Sequence, residues 1–134
     1  MLPTTPHDAR VFLHALFEQL FDPAVPSEAI GAYFHPDYQQ LVDGKTLNFT
    51  DFIAHVGVLK STLASAQVTF EQILVNGQEW ADIHYVDAVK QDGSRLRVKV
   101  LAFYTFRDGK IRHIEELTHL EQGSAADQDL GSRL

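Results

Sequence analysis

Three ionisable residues in the second half of the chain, Asp82, His84 and Glu116, are of types that exchange protons with a bound molecule. Loss of hydration raises the pKa of a carboxyl group in apolar surroundings, and an imidazole titrates near neutral pH. Side chains of these types act as general acid and base when they reach the same substrate. We therefore expect Glu116 to be the acid or base, assisted by Asp82 and His84, if the fold brings them together.

Glu116 belongs to a predicted antiparallel hairpin that runs from residue 94 to residue 120 and turns at Arg107-Asp108-Gly109. A three-residue loop with a bulge places Val100 opposite Glu116, whereas a two-residue loop would place Val100 opposite Leu117. We prefer the three-residue loop, which puts Glu116 on a mostly apolar face. The other members of that face are Leu96, Val98, Val100, Ala102, Tyr104, Arg112, Ile114, Thr118 and Leu120.

The orientation of Asp82 and His84 depends on the preceding turn, Gln91-Asp92-Gly93. If this turn has the same bulged geometry, both side chains join the face that carries Glu116. A two-residue turn would instead bury their neighbours, which are Ala81, Ile83 and Tyr85. Only one member of the Glu115-Glu116 pair can point inward, since side chains alternate along a strand. Both alternatives stay open at the level of sequence.

Further residues are expected around a pocket on this face. We place Tyr38 and Gln40 at its mouth, where they would orient a ligand carbonyl or hydroxyl group. The expected wall consists of Trp80, Val100, Tyr104 and Ile114. His113 and His119 share the opposite face, but alternate residues on one strand are poor evidence for a metal site, and we expect no metal. No glycine-rich phosphate loop or His-Glu-x-x-His motif occurs, and we expect no cofactor.

Composition narrows the class of protein. The chain has 134 residues, a formal charge of −7 and only 11 Lys and Arg residues, which argues against binding to nucleic acid or to an anionic membrane. It contains no cysteine, and its N-terminus is polar, so we expect a cytoplasmic protein without a signal peptide or membrane span. We predict one domain over residues 1–122 and a mobile tail over residues 123–134, which lack a periodic apolar face.

Helix signals precede strand signals along the chain. The predicted helices begin at Thr5, at Ser27 and at Asn48, where the residue types favour N-capping. Four successive strands follow residue 66, and Asn-Gly or Asp-Gly pairs separate them. This order predicts an α+β fold, in which three N-terminal helices pack on a curved, mostly antiparallel sheet of four to six strands.

Two runs of sequence resemble a known family. YFHPDYQQLVDGKTLNFTDFIAH, residues 33–55, and YTFRDGKIRHIEELTHL, residues 104–120, resemble the nuclear transport factor 2-like superfamily, and more narrowly its SnoaL-like polyketide cyclase branch. The resemblance implies a cystatin-like cone with a central cavity for a small apolar or polycyclic molecule. Members of the superfamily include isomerases, cyclases, hydrolases and non-catalytic modules, so it is compatible with a cofactor-free enzyme.

The resemblance also concerns particular residues. Glu116 aligns with a catalytic aspartate of the limonene-epoxide hydrolase branch, and Asp82 is the nearest match to a second aspartate of that branch. Trp80 stands where that branch has an arginine. Leu41 stands where many SnoaL-like chains have a histidine. The resemblance therefore implies a site around Glu116 without implying one particular reaction.

A rival interpretation is a ligand-binding or dimerisation module without catalysis. The opposite face of the predicted hairpin carries Leu101, Phe103 and Leu117 among polar residues. An exposed apolar patch of this kind favours association with a second copy of the chain. We therefore expect a homodimer through the outer sheet face under either interpretation.

Overall fold

A computed structural model of the protein describes residues 5–133, so residues 1–4 of the polar N-terminus and residue 134 of the predicted tail lie outside the description. Six strands form one curved, open sheet in the order β2-β1-β6-β5-β4-β3. Neighbouring strands are antiparallel except for the parallel pair β1–β6. The elements are α1 (Pro6–Phe21), a 3₁₀ helix (Ser27–Tyr33), β1 (Phe34–Val42), β2 (Lys45–Asn48), α2 (Phe49–Thr62), β3 (Leu63–Asn76), β4 (Glu79–Lys90), β5 (Arg95–Arg107), β6 (Lys110–Gln122) and a second 3₁₀ helix (Ala125–Asp127).

The predicted α+β class is confirmed, but the three N-terminal helices are matched only in part. Thr5 caps α1 by accepting a hydrogen bond from the Asp8 backbone N–H, and Asn48 and Asp51 form a capping box on α2. The segment between them is a 3₁₀ helix that buries only Ile30, too little apolar surface to stabilise a longer α-helix. In addition, β1 and β2 precede α2.

Both α-helices pack on the inner face of the sheet. The buried residues of α1 recur every three or four positions, as expected of a helix with one apolar stripe. Near its N-terminus, the Phe12 ring packs edge-on against Trp80, which in turn lies 4.2 Å from the Phe106 ring. Lys60 of α2 donates to the carbonyl oxygens of Gln19 and Asp22 at the other end of α1. The aromatic cluster fills one end of the space under the helices.

The β5–β6 turn differs from the predicted three-residue loop. Arg107 pairs with Lys110, so that only Asp108 and Gly109 lie between the strands. Their φ angles are 54° and 77°, the two positive values that a type I′ turn requires. This turn type matches the right-handed twist of the two strands, which is why the shorter loop is favoured.

A bulge at Arg112 then restores the predicted inner face, although with different partners. Strand β6 has one extra residue at this position, which shifts the pairing of everything beyond it. Glu116 therefore faces inward as predicted, but it lies opposite Ala102. Val100, its predicted partner, lies opposite Thr118. The predicted register was wrong by two residues, while the predicted face was correct.

The β4–β5 turn is the three-residue loop that sequence analysis considered. The Lys90 backbone N–H donates to the Ser94 carbonyl oxygen, which leaves residues 91–93 in the loop, and Gly93 has a φ of 86°. Asp82 consequently pairs with Ala102 and His84 pairs with Val100. Both side chains are on the inner face, and the alternative that would have left them in solvent is wrong.

The C-terminal segment packs against the body of the protein. Residues 123–133 form a second short 3₁₀ helix and successive turns, and Leu130 is only 5% exposed. The sequence predicted a mobile tail because residues 123–134 have no periodic apolar face, and a single apolar side chain in a polar run gives no such signal. The mobility of this segment stays a prediction. None of the helices within residues 5–133 is long and apolar enough to cross a membrane.

Candidate active site

An apolar cavity of about 90 Å³ lies between the two α-helices and the inner face of the sheet. For scale, one water molecule needs roughly 10–15 Å³, so a polar cavity of the same volume would hold several. Most of its wall is aliphatic or aromatic, with a few polar groups from β1, β4, β6 and α2. The lining residues used below are Phe17, Gln40, His55, His84, Val100, Ile114, Glu116, Thr118, Leu130 and Gly131.

Asp82, His84 and Tyr104 form a buried hydrogen-bonded network beside this cavity. The side chains of Asp82 and His84 are 0% and 3% exposed, and Nδ1 of His84 lies 3.0 Å from Oδ1 of Asp82. The Tyr104 hydroxyl donates to Oδ2 of Asp82 at 3.1 Å. A carboxylate only accepts hydrogen bonds, so this partner assigns the imidazole proton to Nδ1. The lone pair of a neutral His84 is then on Nε2.

Aromatic rings fix the orientation of the His84 imidazole. The Phe17 ring of α1 lies 4.9 Å from it between centroids, and the Phe70 ring of β3 lies 5.6 Å from it. An imidazole held between apolar rings and hydrogen-bonded on one nitrogen has little rotational freedom. His84 is therefore a rigid part of the cavity wall.

Glu116 is a partly buried carboxyl group in the same wall. Loss of hydration raises its pKa to about 7, although the charge of His84 and a hydrogen bond from Gln40 act in the opposite direction. The Gln40 side-chain N–H donates to Oε1 of Glu116 at 2.6 Å. Only Ala102 separates Glu116 from Asp82 across the sheet, and the Asp82 charge raises the pKa of Glu116 further.

Asp43 holds the backbone of β6 at Glu116 and at Thr118. Its backbone N–H donates to the Glu116 carbonyl oxygen, and its carboxylate accepts from the backbone N–H and the hydroxyl of Thr118. Asp43 has a φ of 51°, in the left-handed region that aspartate tolerates better than most residues. The Asp43-Gly44 turn therefore positions Glu116, a role that its sequence, typical of any turn, did not indicate.

Two polar atoms near Glu116 are buried without a hydrogen-bond partner in the described part of the chain, the Tyr38 hydroxyl and Oε1 of Gln40. Tyr38 packs between the rings of Phe34 and Phe52, at 4.6 and 5.0 Å. Burial, and then the Glu116 charge, raises the pKa of Tyr38 well above its ordinary value, so its phenol is neutral. Such orphaned groups carry a desolvation cost unless a bound molecule satisfies them.

The structure brings together part of the predicted site. Glu116, His84, Gln40, Val100 and Ile114 line the cavity. Asp82 does not line the cavity, but it contacts His84, which does.

Three residues expected to bind the ligand lie outside the cavity wall. Trp80 belongs to the aromatic cluster with Phe106, Tyr104 is bonded to Asp82, and Tyr38 is packed in the core instead of lying at the mouth. Alternation along β5 predicted the inner face of Tyr104 correctly. It could not predict where along the sheet the helices leave a gap, since this depends on packing between distant segments.

Sequence analysis missed His55, Leu130 and Gly131 as residues of the cavity wall. His55 is buried on α2, one turn from Phe52 and Leu59, so helical periodicity could have shown that it faces the core. Its Nδ1 lies 2.7 Å from the Arg133 carbonyl oxygen. No periodicity predicts the two tail residues, because their position depends on a tertiary contact.

The described residues contain no group of three or more His, Asp or Glu side chains arranged to hold a metal ion. His113 and His119 lie on the outer face of β6, as the alternation had predicted. The polar groups of the cavity are thus a carboxyl group, imidazoles, an amide and a hydroxyl, which exchange protons and hydrogen bonds.

Comparison with solved structures defines the class of fold. AusH from Aspergillus nidulans superimposes with a TM-score of 0.74 at 10% identity, over 98% of this chain and 94% of that chain. An NTF2-like protein of unknown function from Exiguobacterium sp. 255-15 gives a TM-score of 0.62 at 13% identity, over 78% of this chain and 98% of that one. The chain therefore has the NTF2-like α+β fold, a cone formed by a curved sheet and the helices on its inner face.

Comparison of sequences identifies the family within this class. The family model of the SnoaL-like domain matches residues 10–114. A curated relative, uncharacterized protein C11D3.04c of Schizosaccharomyces pombe (strain 972 / ATCC 24843), is 38% identical over 125 residues, which are 93% of this chain and 96% of the relative. The chain belongs to the SnoaL-like domain family.

Proposed function

We propose that the protein catalyses cofactor-free proton transfer on a small apolar molecule, in the manner of an isomerase, cyclase or hydrolase. One observation carries the proposal: a carboxyl group with a pKa of about 7 and a rigid imidazole line the same apolar cavity. General acid–base catalysis is most efficient when the pKa of the catalytic group is near the working pH. A surface glutamate would be almost fully ionised and a weaker base.

In this proposal Glu116 is the catalytic base. Near pH 7 both the ionised and the neutral form of its carboxyl group are populated, since its pKa is about 7. The carboxylate takes a proton from the bound molecule, and the resulting acid returns it at another atom. His84 offers Nε2 as a second acceptor, and Asp82 stabilises the imidazolium that then forms. Asp82 is a positioning residue, because it acts through His84.

Gln40 is proposed to orient the ligand. While Glu116 is ionised, the amide N–H of Gln40 is bonded to it and Oε1 has no partner. This oxygen would accept a hydrogen bond from a hydroxyl or N–H group of the ligand. When Glu116 is protonated, rotation of the amide would offer its N–H to the ligand instead. Gln40 thus couples ligand binding to the charge of Glu116.

The test is exchange of carbon-bound hydrogen for deuterium in small cyclic ketones, for example cyclopentanone and cyclohexanone, followed by proton NMR in D₂O. We expect the wild-type protein to accelerate exchange above the buffer rate, since its base would reach the acidic C–H group. Glu116→Gln should abolish the acceleration, because an amide cannot accept the proton.

The matched control is Glu115→Gln. Glu115 is the adjacent glutamate, exposed on the opposite face of β6, so its substitution should leave the exchange rate unchanged. If Glu116→Gln exchanges the ketones as fast as a wild-type protein that exceeds the buffer rate, Glu116 is not the base. If wild type does not exceed the buffer rate, proton transfer from such ketones is ruled out.

A second candidate function is a ligand-binding or dimerisation module without catalysis. Leu101 and Phe103 are each 44% exposed and Leu117 is 60% exposed, on neighbouring positions of the outer sheet face. We propose that this face pairs with a second copy of the chain, which is compatible with either function of the cavity. A cytoplasmic location also remains a proposal, supported by the absence of cysteine from the sequence.

A further inference from the structure

The C-terminal segment forms one end of the cavity wall. Leu130 and Gly131 both line the cavity, and Leu130 packs into the core cluster. A Cβ atom built on Gly131 would lie 3.3 Å from Cγ2 of Thr118 and 3.5 Å from Cγ2 of Val42, so the backbone itself is pressed against the sheet. A molecule that enters here must displace this segment.

Residues 124–133 are linked to one another more extensively than to the rest of the protein. The backbone N–H groups of Asp127, Leu130 and Ser132 all donate to carbonyl oxygens within the segment. The Arg133 guanidinium donates to the Ala126 carbonyl oxygen and to the Asp129 carboxylate. Within residues 5–133, no backbone-to-backbone hydrogen bond ties this segment to the body of the protein. It can therefore move as a unit at little cost in backbone hydrogen bonds.

Two polar contacts hold the segment in place. The Lys90 ammonium group donates to both oxygens of Asp127, at 3.0 and 3.2 Å, and the Asp127 side chain is 4% exposed. The His55 imidazole is bonded to the Arg133 carbonyl oxygen. These contacts come from β4 and α2, so they fasten the segment to two different elements of the body.

The segment begins at Gly123, whose backbone conformation disfavours any residue with a side chain. Gly123 has a φ of 147°, and a Cβ atom there would lie 3.0 Å from Asp127 Oδ2 and 3.1 Å from Leu120 Cδ1. A glycine at the junction with β6 permits both this conformation and others. It is suited to act as a hinge.

The size of the cavity gives a reason for this segment to move. At about 90 Å³ the cavity is smaller than the roughly 150 Å³ apolar cavity that takes up benzene in another protein. Movement of Leu130, which forms part of the wall, would enlarge the cavity. We propose that residues 124–133 are a gate, hinged at Gly123 and fastened by Lys90 and His55, whose opening admits the ligand and whose Leu130 limits its size. This proposal deepens the proposed function and rests on the same cavity.

The experiment is to lock the gate with a disulfide. The sequence contains no cysteine, so the double variant Thr118→Cys with Gly131→Cys offers only one pair, at two positions close enough to be bridged. Entry of 4-fluorotoluene is then followed by ¹⁹F exchange NMR in the oxidised and the reduced protein. We expect oxidation to slow entry by roughly tenfold or more, as locking a lid does, and dithiothreitol to restore it.

A second variant gives an independent readout. Lys90→Met removes one fastening without touching the cavity wall, so it should speed both the entry of 4-fluorotoluene and hydrogen exchange of the amides in residues 124–133. The proposal is overturned if the oxidised and reduced proteins admit 4-fluorotoluene at the same rate, or if neither binds it. It is equally overturned if Lys90→Met leaves both rates unchanged.

Failure of the gate and failure of catalysis are distinguishable. Entry of 4-fluorotoluene requires no proton transfer, so a blocked entry in the oxidised protein supports the gate even if no ketone is exchanged. Conversely, ketone exchange that depends on Glu116 and persists at full rate in the oxidised protein supports catalysis and rejects the gate.

Discussion

At the scale of single residues, the unusual feature is Glu116, a glutamate that β6 places in the wall of an apolar cavity. Two of its polar neighbours differ in effect, because Gln40 donates a hydrogen bond to the carboxylate whereas Asp82 adds a like charge. Burial outweighs the hydrogen bond, and the pKa of Glu116 is about 7. The fold therefore bears a cost in stability whenever Glu116 ionises.

This cost predicts a pH dependence of stability. Between pH 4.5, the ordinary pKa, and about pH 7 the unfolded chain releases the Glu116 proton and the folded protein keeps it. The free energy of unfolding therefore falls as pH rises through this window, by roughly 3 kcal/mol at most, at about 1.4 kcal/mol per pKa unit. Urea denaturation of wild type and Glu116→Gln at pH 4.5 and pH 8 measures it.

We expect Glu116→Gln to gain stability relative to wild type on going from pH 4.5 to pH 8, because the neutral amide has no proton to lose. Glu115→Gln, on the exposed face, should show no such gain. A difference between wild type and Glu116→Gln that is the same at both pH values would place Glu116 in a hydrated environment.

At the scale of secondary-structure elements, two turns determine which side chains share a face. The β4–β5 loop has three residues and the β5–β6 turn has two, but the bulge at Arg112 compensates for the missing residue. Asp82, His84 and Glu116 face inward as a result. The placement of the site therefore depends on backbone conformations that glycine adopts easily and other residues adopt at a cost.

The turn at Gly109 gives a testable consequence. Gly109→Ala should lower the free energy of unfolding by about 1 kcal/mol, because a Cβ at a φ of 77° is strained even though no atom crowds it. Gly57→Ala is the matched control, since Gly57 lies inside α2 and a Cβ there makes an ordinary 3.5 Å contact with Ser27 Oγ.

For Gly57→Ala we expect stabilisation by roughly 0.5–1 kcal/mol, the usual gain for alanine in a helix. Urea denaturation of both variants provides the measurement. Equal effects of the two substitutions would show that the left-handed conformation at Gly109 is not what maintains the turn.

At the scale of the whole molecule, the two faces of the sheet differ in what they carry. The inner face carries the cavity, and the outer face exposes Leu101, Phe103 and Leu117. Leu74 on edge strand β3 is 59% exposed in the same cross-strand row as Phe103, which extends this surface beyond the hairpin that sequence analysis considered. A contiguous apolar surface of this kind favours a symmetric contact with a second copy.

We accordingly expect a homodimer that Leu101→Glu converts to a monomer, because a charge at the centre of the patch would be buried without a partner. Sedimentation velocity at tens of micromolar protein measures the mass. Val11→Glu is the matched control, since Val11 is 58% exposed but lies on α1, and it should remain dimeric. A monomeric wild-type protein would contradict the proposed interface.

The sequence alone determined the fold class and the helix starts at Thr5 and Asn48, and it favoured the inward face of Glu116 without excluding that of Glu115. These depend on capping chemistry and on alternation along strands, which are local properties. The inward orientation of Asp82 and His84 was one of two alternatives, and only the hydrogen bonds of the loop at residues 91–93 decided between them.

Only the tertiary structure decided the register of β5 against β6, the exclusion of Trp80, Tyr38 and Tyr104 from the cavity, and the presence of Leu130 in its wall. A single bulge shifts every later pair, and one apolar residue in a polar tail has no period to reveal it. The position of a cavity depends on how distant segments fail to fill space, which is a property of packing and not of local sequence.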